Sequence, residues 1–515
     1  MKKNVKILII VAVAAVLLIG LMLLLIFIPK GDGSGGAATY DEGVKMSVSV
    51  DKDGVHQADV KTNDKGEIEN NSYGTLLEYK PAQISKIHLE NKKGTLDITS
   101  HTPKNDKGET DTTVYTVVGY EDFDLQGGIA DEIANNASSL TFSRVMTLDK
   151  SKAGDYGLDK PRATATVTYT DNTKSVIYVG DDAPQGAGTY VKFGGGDEVY
   201  LVESSAVAAF DYGLTDLMSL TINDSASDDT NAKASSITIS GSNFADTIVL
   251  EPNSGNKVSA SYVMTSPVRC YADENESSLV DGAIRGLYAD SVRMVNPSDG
   301  QLSELGLAKP YAHIKAVYPD TTVDLIASKP GSDGNVSLMK SGGDIVYTIS
   351  AQKLPWVNTS YENLVNQYVL YPKMNALSKI SVNDGSKTYD FELSTVQVNN
   401  NDADGNDAST STTTVKCGGK EIELERFSTF YQNVAMLELS DVKSANTSGS
   451  PVFSVTYTYS EDGTSDTVSY YKAGDNKYAA SVNGQSLGYV YQSKVNKLIE
   501  QAGKVAQNKD VESLI

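Results

Sequence analysis

The chain has 515 residues and a formal net charge of −22 at pH 7. Its length implies about three domains. Its acidity argues against nucleic acid, whose phosphates need clustered Lys and Arg, and against an ectodomain lying flat on anionic lipid. Tyrosine (29) far outnumbers phenylalanine (10) and tryptophan (1), which, with plentiful Thr, Ser and Val, suits half-buried strands better than a helical bundle.

In chain order, the first element is an apolar run of 22 residues without charge, Ile7 to Ile28. At about 1.5 Å per residue, a helix of that length matches the ~30 Å hydrocarbon core of a bilayer. Lys2, Lys3 and Lys6 precede it and only Lys30 follows closely. The positive-inside rule then leaves the N-terminus in the cytoplasm and the remainder outside the cell membrane. A cleaved signal peptide is the competing reading. It expects a shorter apolar core ending in small residues, whereas Phe27-Ile28-Pro29-Lys30 closes this one. The expectation is an uncleaved single-pass anchor over residues 1–30.

Residues 31–84 read as a Gly/Ala/Ser tether followed by one strand segment and a polar stretch. Three copies of one script follow, at 85–218, 235–368 and 378–503, with a tail at 504–515. Each opens on a short strand centred on Ile87, Ile237 or Ile380. A second strand follows, then a helical stretch at Gly128–Leu140, Ser277–Ala289 or Glu425–Leu437. Next comes a proline that starts a strand meander: Pro161, Pro310 and Pro451 lie 74, 73 and 71 residues after those isoleucines. Two of these prolines close the turns Gly157-Leu158-Asp159-Lys160-Pro161 and Gly306-Leu307-Ala308-Lys309-Pro310; the third copy keeps only Ser448-Gly449-Ser450-Pro451. Proline fixes φ and needs no donor, so it is read here as opening an edge strand. Alternation such as Thr166-Val167-Thr168-Tyr169 gives each meander one buried face. Each copy is expected to close on a short helix capped by Ser205, Ser350 or Ser493. The fold class read from this pattern is α+β: three tandem strand-rich repeats, antiparallel meanders with short helices, after one N-terminal transmembrane helix. Residues 399–414, Asn/Asp/Ser/Thr-rich, read as a low-complexity loop.

These turns, the meander after them, the Tyr190-Val191-Lys192-Phe193 strand and the Val199-Tyr200-Leu201-Val202 strand resemble the bacterial domain of unknown function 4340. The likeness is strongest over 85–212 and weaker over 235–361; the third copy departs by losing the Gly-Leu-x-Lys-Pro turn. The resemblance implies a single-span envelope protein and an accessory role beside the subunits of an ABC-type transport system, of the gliding-motility kind. It carries over no catalytic residue.

Reactive motifs are absent from the sequence itself. The four histidines, His56, His88, His101 and His313, form no metal-binding spacing. His88 and His313 read as solvent-side strand residues. Cys270 and Cys417 fall in different copies without a CxxC partner, so free structural thiols are expected. Asn400, Asp402, Asp404 and Gly405 mimic the start of an EF-hand loop, but Ser411 stands where a bidentate Glu is needed. The expected catalytic, cofactor-binding and metal sets are therefore all empty, and the chain reads as no enzyme. The function expected is a membrane-anchored, non-catalytic extracytoplasmic interaction protein, held in the membrane by residues 7–28 and partnered with ABC-type transporter subunits. The alternative is a surface protein that binds glycan or another envelope polymer through exposed tyrosines and Trp356.

Overall fold

The computed structural model describes residues 44–69, 72–104, 112–148, 150–226, 233–401, 407–474 and 476–514. The anchor expected at residues 7–28 lies outside them. Among the described residues no helix is long and apolar enough to cross a membrane.

Strands begin with β1 (Val44–Lys45), β2 (Ser47–Val50), β3 (His56–Asp59) and β4 (Ser72–Glu78). The first copy continues with β5 (Ile84–Asn91), β6 (Gly94–His101), β7 (Val114–Val117), helix α1 (Ile129–Ser138) and β8 (Ser139–Thr147). Its meander is β9 (Ala163–Tyr169), β10 (Lys174–Asp182), β11 (Thr189–Phe193) and β12 (Glu198–Val202). The second copy holds β13 (Ser236–Ser240), β14 (Ile248–Pro252), β15 (Tyr262–Ser266), β16 (Cys270–Tyr271), α2 (Glu274–Gly282), β17 (Ser291–Val295) and α3 (Asp299–Glu304). Its meander is β18 (Ala312–Val317), β19 (Thr322–Ala327), β20 (Asn335–Lys340) and β21 (Ile345–Ser350). The third has β22 (Leu377–Asn383), β23 (Thr388–Asn401), β24 (Asp407–Cys417), β25 (Lys420–Ile422) and α4 (Leu424–Ala435). It ends with β26 (Phe453–Tyr459), β27 (Ser465–Lys472), β28 (Lys477–Val482), β29 (Gln485–Tyr491) and α5 (Gln492–Val505).

Three large sheets share one plan. Their orders are β1-β4-β8-β12-β11-β10-β9-β5-β6-β7, β16-β15-β14-β13-β18-β19-β20-β21-β17 and β25-β24-β23-β22-β26-β27-β28-β29. In each, the opening strand lies antiparallel beside the first meander strand, pairing Ile87 with Val167, Ile237 with Ala316 and Ile380 with Tyr457. An opening meander and a closing meander thus meet at their first strands. Helix α1 or α2 carries the chain to the far side of the last meander strand, where β8 or β17 pairs with it; β17 is the edge, whereas β8 is followed by β4 and β1. Alternation is strict in β9 and β26, where every second residue is buried. This duplication of strand order is what the repeated apolar pattern encodes, since a one-residue slip would turn each buried set to solvent.

The α+β expectation is corrected by this architecture. Among the described residues, strands hold 42% and helices 20%, in four sheets, so the fold is mainly β. Among the described residues every ladder is antiparallel except β1 beside β4. The difference has two physical causes. The helical stretches are shorter than expected: α2 stops at Gly282, short of the Ala289 expected, and Leu279 on it is exposed. The closing helices of the first two copies are single turns, Ser204–Ala206 and Ala351–Lys353; only Ser350 caps one, accepting from the Gln352 amide, while Glu203 and Tyr491 hold the cap positions expected of serines.

Other segments also differ from expectation. Residues 44–84 are part of the fold: β4 and β1 extend the first sheet, and β2 pairs β3. The first meander strand is central rather than an edge, flanked on both sides. The Gly-Leu pair is a helix C-cap. Gly306 donates to Ser303 O and Leu307 to Leu302 O after α3, and Gly157 and Leu158 repeat this on Gly154 O and Ala153 O. That is the double bond pattern of a Schellman motif, which needs a left-handed residue; φ is +72° at Gly306 and +66° at Gly157. In the low-complexity stretch the described residues 399–401 and 407–414 are strand, and in the tail residues 504–505 are helix and 509–514 a strap against α4 and α5.

The described chain packs as two compact units. One comprises residues up to Thr116 with Glu132–Asp211; the other comprises Val117–Asp131 with residues from Tyr212 on. The second unit therefore contains the second and third sheets. There Lys257 Nζ lies 2.8 Å from Asp462, and Val258 joins the aromatic core of the third sheet with Phe391, Phe427, Tyr457 and Tyr470.

Candidate functional site

A buried polar cluster of the first unit surrounds His56 on β3. The residue is only 5% exposed. Its Nδ1 lies 3.0 Å from Ser175 Oγ and its Nε2 3.3 Å from Tyr79 OH. Tyr79 and Tyr169 stack with centroids 3.7 Å apart, and Tyr169 OH lies 3.2 Å from the same Ser175 Oγ. Burial pushes the His56 pKa below its ordinary value, with Asp171 opposing. The ring also faces a cleft of about 550 Å³ lined by Met46, Thr75, Leu76, Leu77 and Glu78. A His–Ser pair at this distance has the spacing of an activated nucleophile. The surroundings argue otherwise: Ser175 is fully buried, its oxygen is shared with Tyr169, and the far ring nitrogen meets a phenol, not a carboxylate. The cluster holds the β2–β3 hairpin onto the sheet. Gly194 and Gly195 complete that junction, since a Cβ at Gly194 would sit 2.4 Å from His56 O, and Gly195 N donates to Gln57 Oε1 at 2.6 Å. Neither His56 nor this use of the glycines was legible, because partners 119 residues apart leave no local signal.

In the second unit a cleft of about 490 Å³ is lined by Asn223, Asp224, Arg285, Asp324 and Lys340. Arg285 is forked onto Asp320 at 3.2 and 2.8 Å and lies 4.8 Å over the Tyr318 ring. The guanidinium is thus neutralised by Asp320, and with Asp224 and Asp324 alongside the cleft is no anion trap.

His88 and His313 are half-exposed, as strand residues facing solvent would be, but each is tied across a ladder. His88 Nδ1 is 2.9 Å from Asp97, and His313 Nε2 is 2.8 Å from Asp324. The hydrogen bond to Asp97 raises the His88 pKa. The third copy places Ser381 Oγ 2.6 Å from Asp390 at the position of His88 and Asp97, with Lys379 for Lys86. The recurring device is a cross-strand carboxylate with a cationic neighbour, a register pin. His101, at the end of β6, is exposed.

Trp356 is fully buried and donates through Nε1 to Ala283 O at 3.0 Å. Tyr169, Tyr200, Tyr262, Tyr457, Tyr459 and Tyr470 are also buried, whereas Tyr73, Tyr288 and Tyr491 are exposed. Cys270 and Cys417 are free thiols, and burial pushes the Cys270 pKa up to about 12. Among the described residues no group of three or more His, Cys, Asp or Glu is placed to hold a metal. Asp402, Asp404 and Gly405 of the EF-hand mimic lie outside the described residues.

What does stand out is an arm. β23 and β24 pair with each other from Phe391–Cys417 to Asn401–Asp407. Their outer pairings stop early: β22 reaches only Glu392, and β25 only Val415. Residues 394–401 and 407–414 thus form a two-stranded ribbon past the last sheet neighbour, about 25 Å long at ~3.3 Å per residue. Val396 on it is 58% exposed. Thr395 and Thr413 bond across it at 2.9 Å.

Comparison with known families settles the resemblance. The domain of unknown function DUF4340 matches residues 115–257 and 263–452. The chain belongs to the DUF4340 family. The matched segments run from β7 into the second sheet, and from β15 to the turn before β26, so each crosses from one sheet to the next. No curated protein matches.

Proposed function

We propose that this DUF4340 protein is a non-catalytic accessory subunit of an ABC-type transport system, anchored by residues 7–28 with its β-sheet units outside the membrane. The observation that carries an interaction role is the β23–β24 arm. A ribbon with two open edges and an exposed Val396 offers main-chain donors and acceptors to a partner strand, the usual mode of β-augmentation. An isolated ribbon is marginal in water, so an element of this length is better accounted for by a partner than by its own stability. The resemblance supplies the transporter as that partner. The test is gentle solubilisation of membranes at native expression, followed by affinity recovery of the chain. Membrane-spanning and ATPase subunits of one transporter should accompany it in fixed ratio. Recovery of the chain alone would sink the proposal.

A further inference from the structure

The strongest unassigned feature is the groove formed by α4 and α5. Past α5 the chain turns at Asn508, φ +58°, whose side-chain oxygen accepts from Glu423 N at 2.9 Å. Residues 509–514 then run as an extended strap along α4. Two buried amides read its backbone. Asn433, 3% exposed, donates to Glu512 O at 2.8 Å and accepts from Leu514 N at 2.8 Å. Gln501, also 3% exposed, donates to the same Glu512 carbonyl at 2.8 Å, and Asn433 donates to Gln501 Oε1 at 2.8 Å. A side-chain amide that gives and takes one bond each recognises an extended backbone whatever its side chains.

The strap's own side chains hold less firmly. Asp510 meets Arg426 at 2.6 Å and Glu512 meets Lys497 at 3.0 Å, but the two carboxylates are 87% and 68% exposed. Exposed ion pairs of this kind contribute little. Val511 and Leu514 are only partly buried against the core. The receptor side is therefore built from buried, mutually bonded amides, which hold the occupant's backbone and are costly to leave unpaired, while the occupant's side chains are held mainly by groups that water can replace. Arg426, Lys494 and Lys497 make a cationic rim on a chain of net charge −22. A hollow lined by Met436, Leu437 and Tyr491 adjoins Leu514, with room for another apolar side chain.

We propose that the α4–α5 groove is a recognition site for an extended segment of a partner protein in which two acidic residues flank an apolar one, and that residues 509–514 fill it in cis as an exchangeable strap. This goes beyond the transport reading and does not rest on it. Peptide binding without transporter co-purification would sink only that reading; the reverse would sink only this one.

The test uses the full chain and a fluorescent peptide with the sequence of residues 509–514, read by polarisation. In the chain carrying Asp510→Lys and Glu512→Lys the strap is loosened, and the peptide should bind at least ~10-fold tighter than to the unaltered chain, as expected when a cis competitor is weakened. Adding Lys497→Glu should weaken binding, and a peptide carrying Glu512→Lys should restore it. Hydrogen exchange on the unaltered chain gives an independent reading: the Leu514 amide should exchange ~100-fold or more faster than the amides of α4, through local opening. A loosened, folded chain that binds the peptide no better, or binds a scrambled peptide equally, would overturn the proposal. So would equal protection of the strap and α4. A concentration-dependent dimer without peptide binding would overturn it too, since the occupant would then be a second copy.

Discussion

The second and third sheets share a strand order but differ in what joins and covers them. In the second, α2 leads to β17, then to α3 with its Ser298 cap and Gly306-Leu307 stop, and only then to the meander. In the third, the stretch from Met436 to Val452 holds no helix, and the edge position of β17 shrinks to one bridge, Asp441 with Tyr489. The capped helix and the Gly-Leu-x-Lys-Pro turn are lost together, as they must be if the glycine exists to end that helix. The ends reverse the pattern. The second meander closes on one turn at Ala351–Lys353, and the third on the 14 residues of α5. The comparison teaches that the paired registers Ile237–Ala316 and Ile380–Tyr457 define the fold, while connections and covers are exchangeable and are where the third copy gained its arm and groove.

The predictions that sharpen this contrast begin with the cover of the second sheet. Trp356→Ala should lower stability by about 3–5 kcal/mol in urea unfolding, because a full side chain leaves the core and the Ala283 carbonyl loses its donor. A loss below ~1 kcal/mol would mean that Trp356 is not the second copy's counterpart to the aromatic cover on α4. Next are the caps. Gly306→Ala should cost about 1–2 kcal/mol for forcing a left-handed residue, and Gly157→Ala more, since its Cβ would fall 2.6 Å from the Asp181 carboxyl. Equal costs at both sites would show that the turn at Asp181 gives way, since its amide nitrogen too lies 2.7 Å from that Cβ.

Acid should separate the two units. The folded pKa of His56 is depressed by burial, so its neutral form is favoured in the fold. The stability involved is complete above the ordinary histidine value and is lost as pH falls from there toward the depressed one. The slope is at most about 1.4 kcal/mol per pH unit for one proton. The first unit should therefore melt lower at pH 5.5 than at 7.5, and His56→Gln should flatten that dependence. His88 has the opposite sign: its pKa is raised, so it stabilises below the ordinary value and the effect fades as pH rises through the raised one. Being half-exposed, it should contribute little. The smallest effect belongs to the register pins: Lys86→Ala and Lys379→Ala should each cost about 0–1 kcal/mol, diminishing with salt.

Much of the sheet plan was legible because it rests on period-two burial, which sequence displays directly: the strands at Ala163–Tyr169, Thr189–Phe193 and Glu198–Val202 lie where alternation places them. The fold class is less legible because a helical stretch such as Ser277–Ala289 is also compatible with a short helix and a following coil. Helix α3 had a signal, the capping box Ser298-x-x-Gln301 ahead of Gly306, that reads clearly once the glycine is seen as a stop. The 399–414 stretch reads as a loop because Ser, Thr and Asn resemble linker composition, although Thr410, Thr412 and Thr414 at alternate positions also favour a ribbon. The strap and the His56 cluster were hidden for another reason: both rest on pairings such as Asn433 with Leu514 and His56 with Ser175, whose distance along the chain leaves no periodicity to detect.

The central claim, that this chain acts by holding a transport partner through an arm added to the third sheet, is tested most directly by shortening the arm. Residues 394–414 are replaced by a two-residue type I′ turn, a change that leaves the β22–β23 and β24–β25 pairings in place. The account predicts that the shortened chain keeps its melting behaviour and membrane location but loses the transporter subunits recovered with the unaltered chain. Retention of those subunits at full ratio by the shortened chain would contradict it.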